Sequence, residues 1–359
     1  MRSETLEQHQ ALPGAAHNLR LLYTSTDGID GATPLVVSGA LFLPPGQPPA
    51  GGWPLLLWSH GTVGIADICA PSWTGYVPFH QQHLRSWLES GYAIVASDYQ
   101  GLGTPGPHPY MATRPEAYSN LDVIRAVQSA DFPLSKSVVI AGQSQGAGAA
   151  VATAGYARDY APDIDLRAVV ATGMPYFSQQ AVIALRKARP RDVIDPKLGY
   201  TFLILTLLET IDPTFDAADY VQPQVLPVAR SVAGVCNRDM RARIGKLGLT
   251  YNDAFKPAPE LKVEKAYAHM GLPRLDLNVP VFVGTGLDDV DTPPRMQAHF
   301  VKQACAAGTR VTAFAYKGFD HLSVLNHSLQ DSMPFVKRAL SGDNVVGNCG
   351  ALSLSEPES

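Results

Sequence analysis

The sequence has little charge and no cluster of charges of one sign. Lysine and arginine account for 28 of its 359 residues and aspartate and glutamate for 32, so the formal charge at pH 7 is −4. Because binding to nucleic acid requires a basic surface that neutralises phosphates, this composition argues against a nucleic-acid partner. Long apolar runs are also absent. The segment 201–208 is too short to cross a bilayer, so we expect no integral membrane segment.

The first residues lack the apolar core of a signal peptide. Residues 1–8 are polar and acidic, whereas a secretory leader contains a run of about 7–15 apolar residues. Two interpretations are open at this point. Either the protein is intracellular, or its leader has been removed and an initiator methionine supplied.

Cysteine is scarce as well. The four cysteines, Cys69, Cys236, Cys305 and Cys349, are far apart, which excludes the C-x-x-C spacing of zinc and redox sites. The even number is compatible with two disulfides, but four buried thiols are equally ordinary in a large cytosolic enzyme. The spacing alone leaves both interpretations open.

Apolar residues, in contrast, are plentiful. They make up 46% of the chain, enough for a large core in one domain or in a domain with an insertion. Strand and helix patterns alternate, which predicts an α/β fold with a mostly parallel central sheet and helices on both faces. The predicted strands are 19–26, 34–43, 53–61, 92–98, 137–142, 166–173, 279–286 and 310–316, and the predicted helices are 78–90, 114–130 and 145–158.

A G-x-S-x-G pentapeptide lies between a strand pattern and a helix pattern. It reads Gly142-Gln-Ser-Gln-Gly146, after the apolar run 137–141 and before the small residues 147–151. A serine on a sharp strand-to-helix turn exposes its hydroxyl, and the flanking glycines allow strand and helix to approach closely. Ser144 is therefore predicted to be a nucleophile.

A nucleophilic serine needs a base that is oriented by a carboxylate. For a serine on such a turn, the acid and then the histidine follow along the chain, each on a loop after a strand. The strand 279–286 ends in an acidic turn with three candidates, Asp288, Asp289 and Asp291. We favour Asp289. The alternative is that these aspartates cap the helix that begins near Thr292, and we expect one of them to do so.

The predicted base is His321. Of the ten histidines, it alone follows a strand, 310–316, in the required order behind Ser144 and Asp289. His299 falls on a helix face and His327 lies a turn or two into the next helix.

Catalysis by such a serine also requires donors for the developing oxyanion. The backbone N–H after the nucleophile belongs to Gln145. The strand from Trp53 ends in His60-Gly-Thr-Val-Gly64, a loop of the type that supplies a second N–H, and Thr62 is the candidate. His60 precedes the nucleophile and is expected to support this loop.

The alternation of strands and helices stops between residues 174 and 273. Helical patterns cover 179–187, 200–209, 217–233 and 240–247. We predict a helical cap of residues 174–273, inserted into a core of residues 1–173 and 274–350, with residues 351–359 as a flexible tail. A cap over the serine would exclude water and line an acyl site. The cluster 202–208 could form this wall, but plain packing is the commoner role of such a stripe.

Three segments resemble the secretory lipase family, in the lipase A-like branch of the α/β-hydrolases. They are residues 59–72, residues 98–110 and the turn that begins at Gly142. The resemblance extends from about residue 20 to residue 350 and weakens across the predicted cap. It implies a secreted serine carboxylester hydrolase of lipids and other hydrophobic esters, with no metal or organic cofactor and a helical lid between the sixth and seventh strands.

The resemblance also implies particular residue roles. The acid of the family lies in a segment of the form Asp-x-x-x-Pro, which matches Asp289 to Pro293, and its histidine matches His321. Two disulfides are implied, Cys69 with Cys236 and Cys305 with Cys349. These would place the protein outside the cytoplasm, secreted or periplasmic.

The predicted reaction is ester hydrolysis through an acyl-enzyme. Its partner would be a small-molecule or lipid ester, with transient contact to a lipid interface, while nothing in the sequence indicates the oligomeric state. A serine peptidase or amidase on the same fold, or a polyester hydrolase, is the alternative. A dehalogenase would carry aspartate in place of Ser144, and a non-catalytic module would normally lack one of the three predicted catalytic residues.

Overall fold

The computed structural model describes residues 1–178, 181–183, 187, 189–257 and 263–349. Within these residues, one sheet is formed by β1 (Arg2–Thr5), β2 (His17–Thr26), β3 (Pro34–Leu43), β4 (Trp53–Ser59), β5 (Ala93–Ser97), β6 (Leu134–Gln143), β7 (Asp165–Thr172), β8 (Val281–Gly286) and β9 (Val311–Tyr316). The order across the sheet is β1-β2-β3-β5-β4-β6-β7-β8-β9. The pairs β1–β2, β2–β3 and β3–β5 are antiparallel and the others are parallel.

Helices cover both faces of the sheet. The helices of the described residues are α1 (Pro71–Thr74), α2 (Pro78–Glu89), α3 (Thr113–Gln128), α4 (Gln145–Tyr160), α5 (Leu198–Ile211), α6 (Leu226–Ser231), α7 (Asn237–Leu247), α8 (Tyr251–Ala254), α9 (Glu264–Met270), α10 (Pro294–Ala306), α11 (Ser323–His327) and α12 (Leu329–Leu340). Successive strand residues point to opposite faces. In β4, Leu57 packs in the cluster with α3, α4 and α10, whereas Trp58 packs with α2 and α12. The predicted two-sided cover is confirmed.

The edge of the sheet contains a strand that the sequence did not indicate. β1 comprises four exposed residues, Arg2–Thr5, and pairs with β2. No apolar alternation marks so short and exposed a segment; it is held by the backbone ladder and by an ion pair between Glu4 and Arg20 of β2. Because β1 adds one strand to the count, the insertion follows β7 and not the sixth strand.

The segment between β7 and β8 contains α5 to α9 and no named strand among its described residues. α5 is apolar on nearly all sides, and such a helix is stable only when surrounded. It accordingly forms the centre of a separate apolar cluster, in which Phe202, Leu203 and Leu207 are fully buried. The segment between β7 and β8, which we call the insertion, therefore packs mainly around this cluster, which Tyr110 and Ala112 also join.

Two of the helices predicted in this insertion are not found as predicted among the described residues. The predicted helix 217–233 is wrong as a continuous element: it consists of the 3-10 turn Ala217–Asp219, α6 and the 3-10 turn Val232–Gly234. Pro223 interrupts it, since proline cannot donate the hydrogen bond of a helix interior. Much of the predicted helix 179–187 lies outside the described residues, as does the predicted tail 351–359.

Both disulfides implied by the resemblance are present, and the alternative of four free thiols is wrong. One joins Cys69 to Cys236 and thereby the loop after β4 to the start of α7; the other joins Cys305 of α10 to Cys349. In the described part of the chain, no helix is long and apolar enough to span a membrane.

Candidate active site

Ser144 occupies the strained turn between β6 and α4. Its φ of 58° and ψ of −127° are rare for a residue with a side chain. The two glycines of the pentapeptide permit the turn: a Cβ on Gly142 would overlap the carbonyl of Gly146, and a Cβ on Gly146 would overlap the carbonyl of Ser59 in β4. The pattern therefore has the steric origin expected from the sequence.

Asp289 and His321 form a buried pair on the loops after β8 and β9. Nδ1 of His321 lies 2.8 Å from Oδ2 of Asp289, and both residues are buried. β4, β6, β8 and β9 are parallel, so the carboxyl ends of these strands lie on the same side of the sheet. The loop of His321 and the turn of Ser144 both follow such strand ends and line the same cavity, as the order of the residues in the chain predicts.

The carboxylate of Asp289 receives hydrogen bonds from several directions. Its Oδ1 accepts from the backbone N–H of Asp291 (2.9 Å) and Thr292 (2.8 Å). Its Oδ2 accepts from the Thr292 hydroxyl (2.8 Å) and from Nε2 of Gln297 (3.2 Å), besides His321. Burial by itself raises the pKa of Asp289, but His321 and Thr292 outweigh this effect and the pKa lies below its ordinary value. Asp289 is thus held as a carboxylate.

The competing acidic residues lie outside this pair. Asp288 is exposed, and Asp291 pairs with Arg241 at 3.5 Å. The expectation that one of these aspartates caps the next helix is wrong. The N-cap of α10 is Pro293, which has no side-chain acceptor, and Asp289 instead binds the turn before the helix through Oδ1.

The competing histidines also lie outside the pair. His299 is on α10, with its ring 5.6 Å from that of Tyr176, and His327 stacks on Phe319 at 3.8 Å. Asp320, next to His321, binds its own turn through the N–H groups of Leu322 and Ser323.

Ser144 and His321 line the same cavity, which has a volume of about 520 Å³. Among the described residues, the hydrogen-bond partners of the His321 ring, Thr292 and Asp289, both lie at Nδ1, so Nε2 remains available toward this cavity. The structure holds no Ser144–His321 hydrogen bond. Such bonds often shorten only when substrate binds.

The two predicted oxyanion residues also line this cavity. Gln145 begins α4, and its side chain points away to donate to Glu116 at 2.7 Å, which leaves its backbone N–H at the turn. Thr62 lies on the loop after β4. A Cβ on the preceding Gly61 would lie 3.5 Å from Cβ of Ser144, so this loop, residues 60–64, runs close beside the serine. We call it the oxyanion loop, after the role that the sequence predicts for Thr62.

The walls of the cavity are mainly apolar and come from both the sheet side and the insertion. Phe177, Tyr200 and Ile204 contribute to the wall. Of the cluster 202–208, Ile204 alone lines the cavity among the described residues, so packing is the main role of this stripe. Val193, Ile194 and Val290 lie at the cavity and are 60%, 59% and 69% exposed.

The charged groups at this cavity are largely engaged with protein partners. Arg189 pairs with Asp195 at 2.6 Å, and Nζ of Lys197 donates to the carbonyl of Val290 at 2.6 Å. Among the residues for which the structure gives positions, no group of three or more histidine, cysteine, aspartate or glutamate side chains could hold a metal ion.

Comparisons with known proteins find similarity to lipases and to an esterase. Residues 71–181 match the family model described as secretory lipase. Lipase A of Moesziomyces aphidis is 23% identical over 317 residues, which cover 79% of this chain and 64% of that protein. The resemblance to the secretory lipases is confirmed. The chain spans about 64% of the length of this curated relative.

Solved structures show that the fold is that of the α/β-hydrolases, as expected. Candida antarctica lipase A superposes with a TM-score of 0.75 at 20% identity, covering 98% of this chain and 83% of the other. The rice cell wall degrading esterase LipA from Xanthomonas oryzae gives a TM-score of 0.71 at 19% identity, covering 95% and 96%.

The segments that carry the secretory lipase resemblance support the oxyanion loop. Asp98 accepts from the N–H of Ser72 at 2.9 Å and from the hydroxyl of Ser38 at 2.6 Å. The Tyr99 hydroxyl donates to the carbonyl of His60 at 3.0 Å. The His60 ring is fully buried against backbone carbonyls, and burial lowers its pKa. This arrangement favours the supporting role expected for His60.

Several residues around the site have no marker in the sequence. Gln143 is a variable position of the pentapeptide, yet its Nε2 donates to the carbonyl of His321 at 3.0 Å. Gln297 is fully buried and binds Asp289 and Thr292, while Thr285 donates to its Oε1 at 3.0 Å. Their partners lie on different elements, so linear spacing gives no signal for them.

Proposed function

We propose that the protein is a secreted serine carboxylester hydrolase that cleaves hydrophobic esters through an acyl-enzyme. The observation that supports this proposal best is the buried Asp289–His321 pair, which lies at the same mainly apolar cavity as Ser144 on its strained turn. The similarity to lipases and an esterase agrees with it.

In the proposed acylation step, Oγ of Ser144 attacks the ester carbonyl carbon. Nε2 of His321 takes the serine proton and returns it to the alcohol oxygen as the carbon–oxygen bond of the ester breaks. Asp289 stabilises the imidazolium through its bond to Nδ1. The low pKa of Asp289 supports this role, because the group is already ionised when the positive charge develops.

Deacylation repeats the sequence with water. His321 takes a proton from the water that attacks the acyl carbon, and returns it to Oγ of Ser144 as the carboxylic acid leaves. In both tetrahedral intermediates, the backbone N–H groups of Gln145 and Thr62 would donate to the oxyanion, and such donors are effective because they need no reorganisation.

The cavity suggests the class of ester. Its mainly apolar walls and a volume of about 520 Å³ suit a hydrophobic acyl or alcohol group. The exposed apolar side chains of Val193, Ile194 and Val290 could contact a lipid interface. We further propose that residues 174–273 act as a cap on a core formed by residues 1–173 and 274–350, and that the two disulfides reflect an extracellular location.

The decisive experiment combines hydrolysis of p-nitrophenyl esters with covalent labelling. Ser144→Ala and His321→Ala are expected to lower turnover by at least about a thousandfold. His299→Ala and His327→Ala serve as matched controls and should remain within about twofold of the wild type. A fluorophosphonate probe should modify Ser144, as identified by mass spectrometry of the digested protein. Full activity of Ser144→Ala would refute the proposal.

A substrate panel separates this function from the alternatives. Esters from acetyl to palmitoyl, with and without a lipid interface, define the acyl preference. Matched amides test the peptidase or amidase alternative, and a polyester film tests polymer hydrolysis. We expect the esters to react at least about a hundredfold faster than the matched amides. Equal or faster cleavage of the amides would favour the alternative.

A further inference from the structure

The start of α7 contacts three consecutive residues of the oxyanion loop. Nδ2 of Asn237 donates to the carbonyl of Thr62 at 3.0 Å, and its backbone N–H donates to the carbonyl of Val63 at 2.7 Å. Gly64 forms an antiparallel bridge with Cys236. The disulfide between Cys69 and Cys236 joins the same two segments covalently. The insertion is therefore attached directly to the loop that carries Thr62.

One helical turn later, α7 contacts the loop that carries the acid. Nη1 of Arg241 lies 3.5 Å from Oδ2 of Asp291 and 3.3 Å from the hydroxyl of Tyr200. The backbone N–H of Asp291 in turn donates to Oδ1 of Asp289. A single helix thus contacts both the oxyanion loop and the loop of Asp289, on its two successive turns.

The side chain of Asn237 lies between the oxyanion loop and α5. Its Nδ2 donates to the carbonyl of Thr62, and the same side chain interacts with the Tyr200 hydroxyl. The approach is also close: a Cβ on Gly64 would lie 2.9 Å from the carbonyl of Val235, so α7 and the loop fit only with glycine at this position.

We propose that Asn237 is a positioning residue for the oxyanion loop and that α7 fixes this loop relative to the loop of Asp289. The inference rests on the proposed function. The two bonds from Asn237, to the carbonyls of Thr62 and Val63, hold the two peptide planes that follow Thr62. They therefore limit how far Thr62, and with it its N–H, can shift relative to Ser144. Because oxyanion donors act mainly in the transition state, loss of this bond should lower kcat more than it changes KM.

The test compares Asn237→Ala and Asn237→Asp with the exposed neighbour Arg238→Ala as the matched control. Asn237→Asp keeps the shape but cannot donate to the carbonyl of Thr62. We expect both Asn237 variants to lose about tenfold in kcat, with KM within about twofold. Titration with a fluorophosphonate counts active sites, so that kcat refers to folded enzyme even if a variant is less stable.

A second readout separates positioning from a merely structural role. A trifluoromethyl ketone forms a tetrahedral adduct with a serine and mimics the oxyanion. Its inhibition constant should rise by the same factor by which kcat/KM falls in both Asn237 variants, and it should not change in Arg238→Ala. Arg241→Gln should show a smaller loss of kcat, about threefold, because its contacts are longer and more exposed.

Two results would overturn the inference. The first is an unchanged kcat per active site in Asn237→Asp. The second is a loss of kcat without a matching rise in the inhibition constant of the ketone. Either result leaves the proposed function intact if Ser144→Ala is inactive. If the wild type itself hydrolyses no ester, the proposed function fails first, and that outcome is distinct from both.

Discussion

The turn of Ser144 and the loop of Asp289 are fixed by different means. Ser144 is held by the close approach of backbones, which requires glycine at positions 142 and 146. Asp289 is held by hydrogen bonds from Thr292, Gln297 and His321. The glycines of the first device lie within one pentapeptide, although one of them faces Ser59 of β4, whereas the groups of the second come from three different parts of the chain. The pentapeptide therefore identifies one serine, whereas the acidic turn offers three aspartates of the same chemistry.

This difference has a physical basis. Steric exclusion between backbones depends on the absence of a Cβ, and no neighbouring residue can compensate for an added one. A hydrogen-bonded carboxylate tolerates the loss of one donor, since the others remain. We therefore expect changes at the turn to affect folding, and changes around Asp289 to affect mainly catalysis.

The largest predicted effect concerns the choice among the three aspartates. Asp289→Asn should lower kcat by about 10³- to 10⁴-fold, because the amide favours the wrong tautomer of His321. The kcat of Asp288→Asn, a change at an exposed neighbouring residue, should stay within about twofold of the wild-type value. Steady-state hydrolysis of a p-nitrophenyl ester measures both. Comparable losses in the two variants would mean that the loop, and not one carboxylate, is required.

A glycine of the turn gives the next largest effect. Gly146→Ala would place a Cβ onto the carbonyl of Ser59 and should cost about 3 kcal/mol of unfolding free energy, with loss of activity. Gly148→Ala is the matched control on the same helix. Its Cβ would lie 3.9 Å from Pro175, so this variant should gain about 0.5–1 kcal/mol. Urea unfolding measures both, and equal stability of the two variants would contradict a steric origin of the motif.

Loss of one donor to Asp289 should have a smaller effect. Thr292→Val removes the hydroxyl next to Oδ2 of Asp289 and Nδ1 of His321, so we expect a loss of about tenfold in kcat. The free energy of unfolding should fall by about 1–2 kcal/mol. Thr292→Ser keeps the hydroxyl and should recover most of the activity. If Thr292→Ser is as impaired as Thr292→Val, the methyl group and not the hydroxyl matters.

The smallest predicted effect on catalysis is that of Glu116, whose side chain contacts Gln145 beside the turn and makes stability depend on pH. Burial raises the pKa of Glu116 to about 8, although the bond from Gln145 lowers it. In the unfolded chain this pKa is about 4.3. Between these values the folded state binds the extra proton, so the contribution of Glu116 to stability is complete below about pH 4 and is lost as the pH rises toward 8.

Glu116→Gln should abolish this part of the pH dependence and leave kcat at pH 7 within about twofold, because its amide oxygen can still accept from Gln145. Urea midpoints of the wild type and the variant at pH 5, 6, 7 and 8 provide the measurement. From pH 5 to pH 8, we expect the urea midpoint of the wild type to fall relative to that of the variant. Parallel curves would show that Glu116 does not carry the proton.

The core of the fold was largely predictable, and the insertion was predictable only in outline. The buried parallel strands β4, β6 and β8 each contain a short apolar run, which leaves a clear signal. β1 is short and exposed, so it left none. In the insertion, the helix predicted over 217–233 is interrupted at Pro223, because the helical spacing of apolar residues does not show where a proline ends a helix.

By itself, the sequence determined the turn of Ser144, the α/β architecture, and the order in which serine, acid and histidine follow the strands. These features depend on the glycines of the turn and on the spacing of apolar residues along the chain, both of which can be read from neighbouring positions. Only the tertiary structure decided that Asp289, and not Asp288 or Asp291, binds His321, and that α7 contacts the oxyanion loop. Those contacts join residues between 32 and 175 positions apart, and such pairings arise from the way the chain packs in three dimensions.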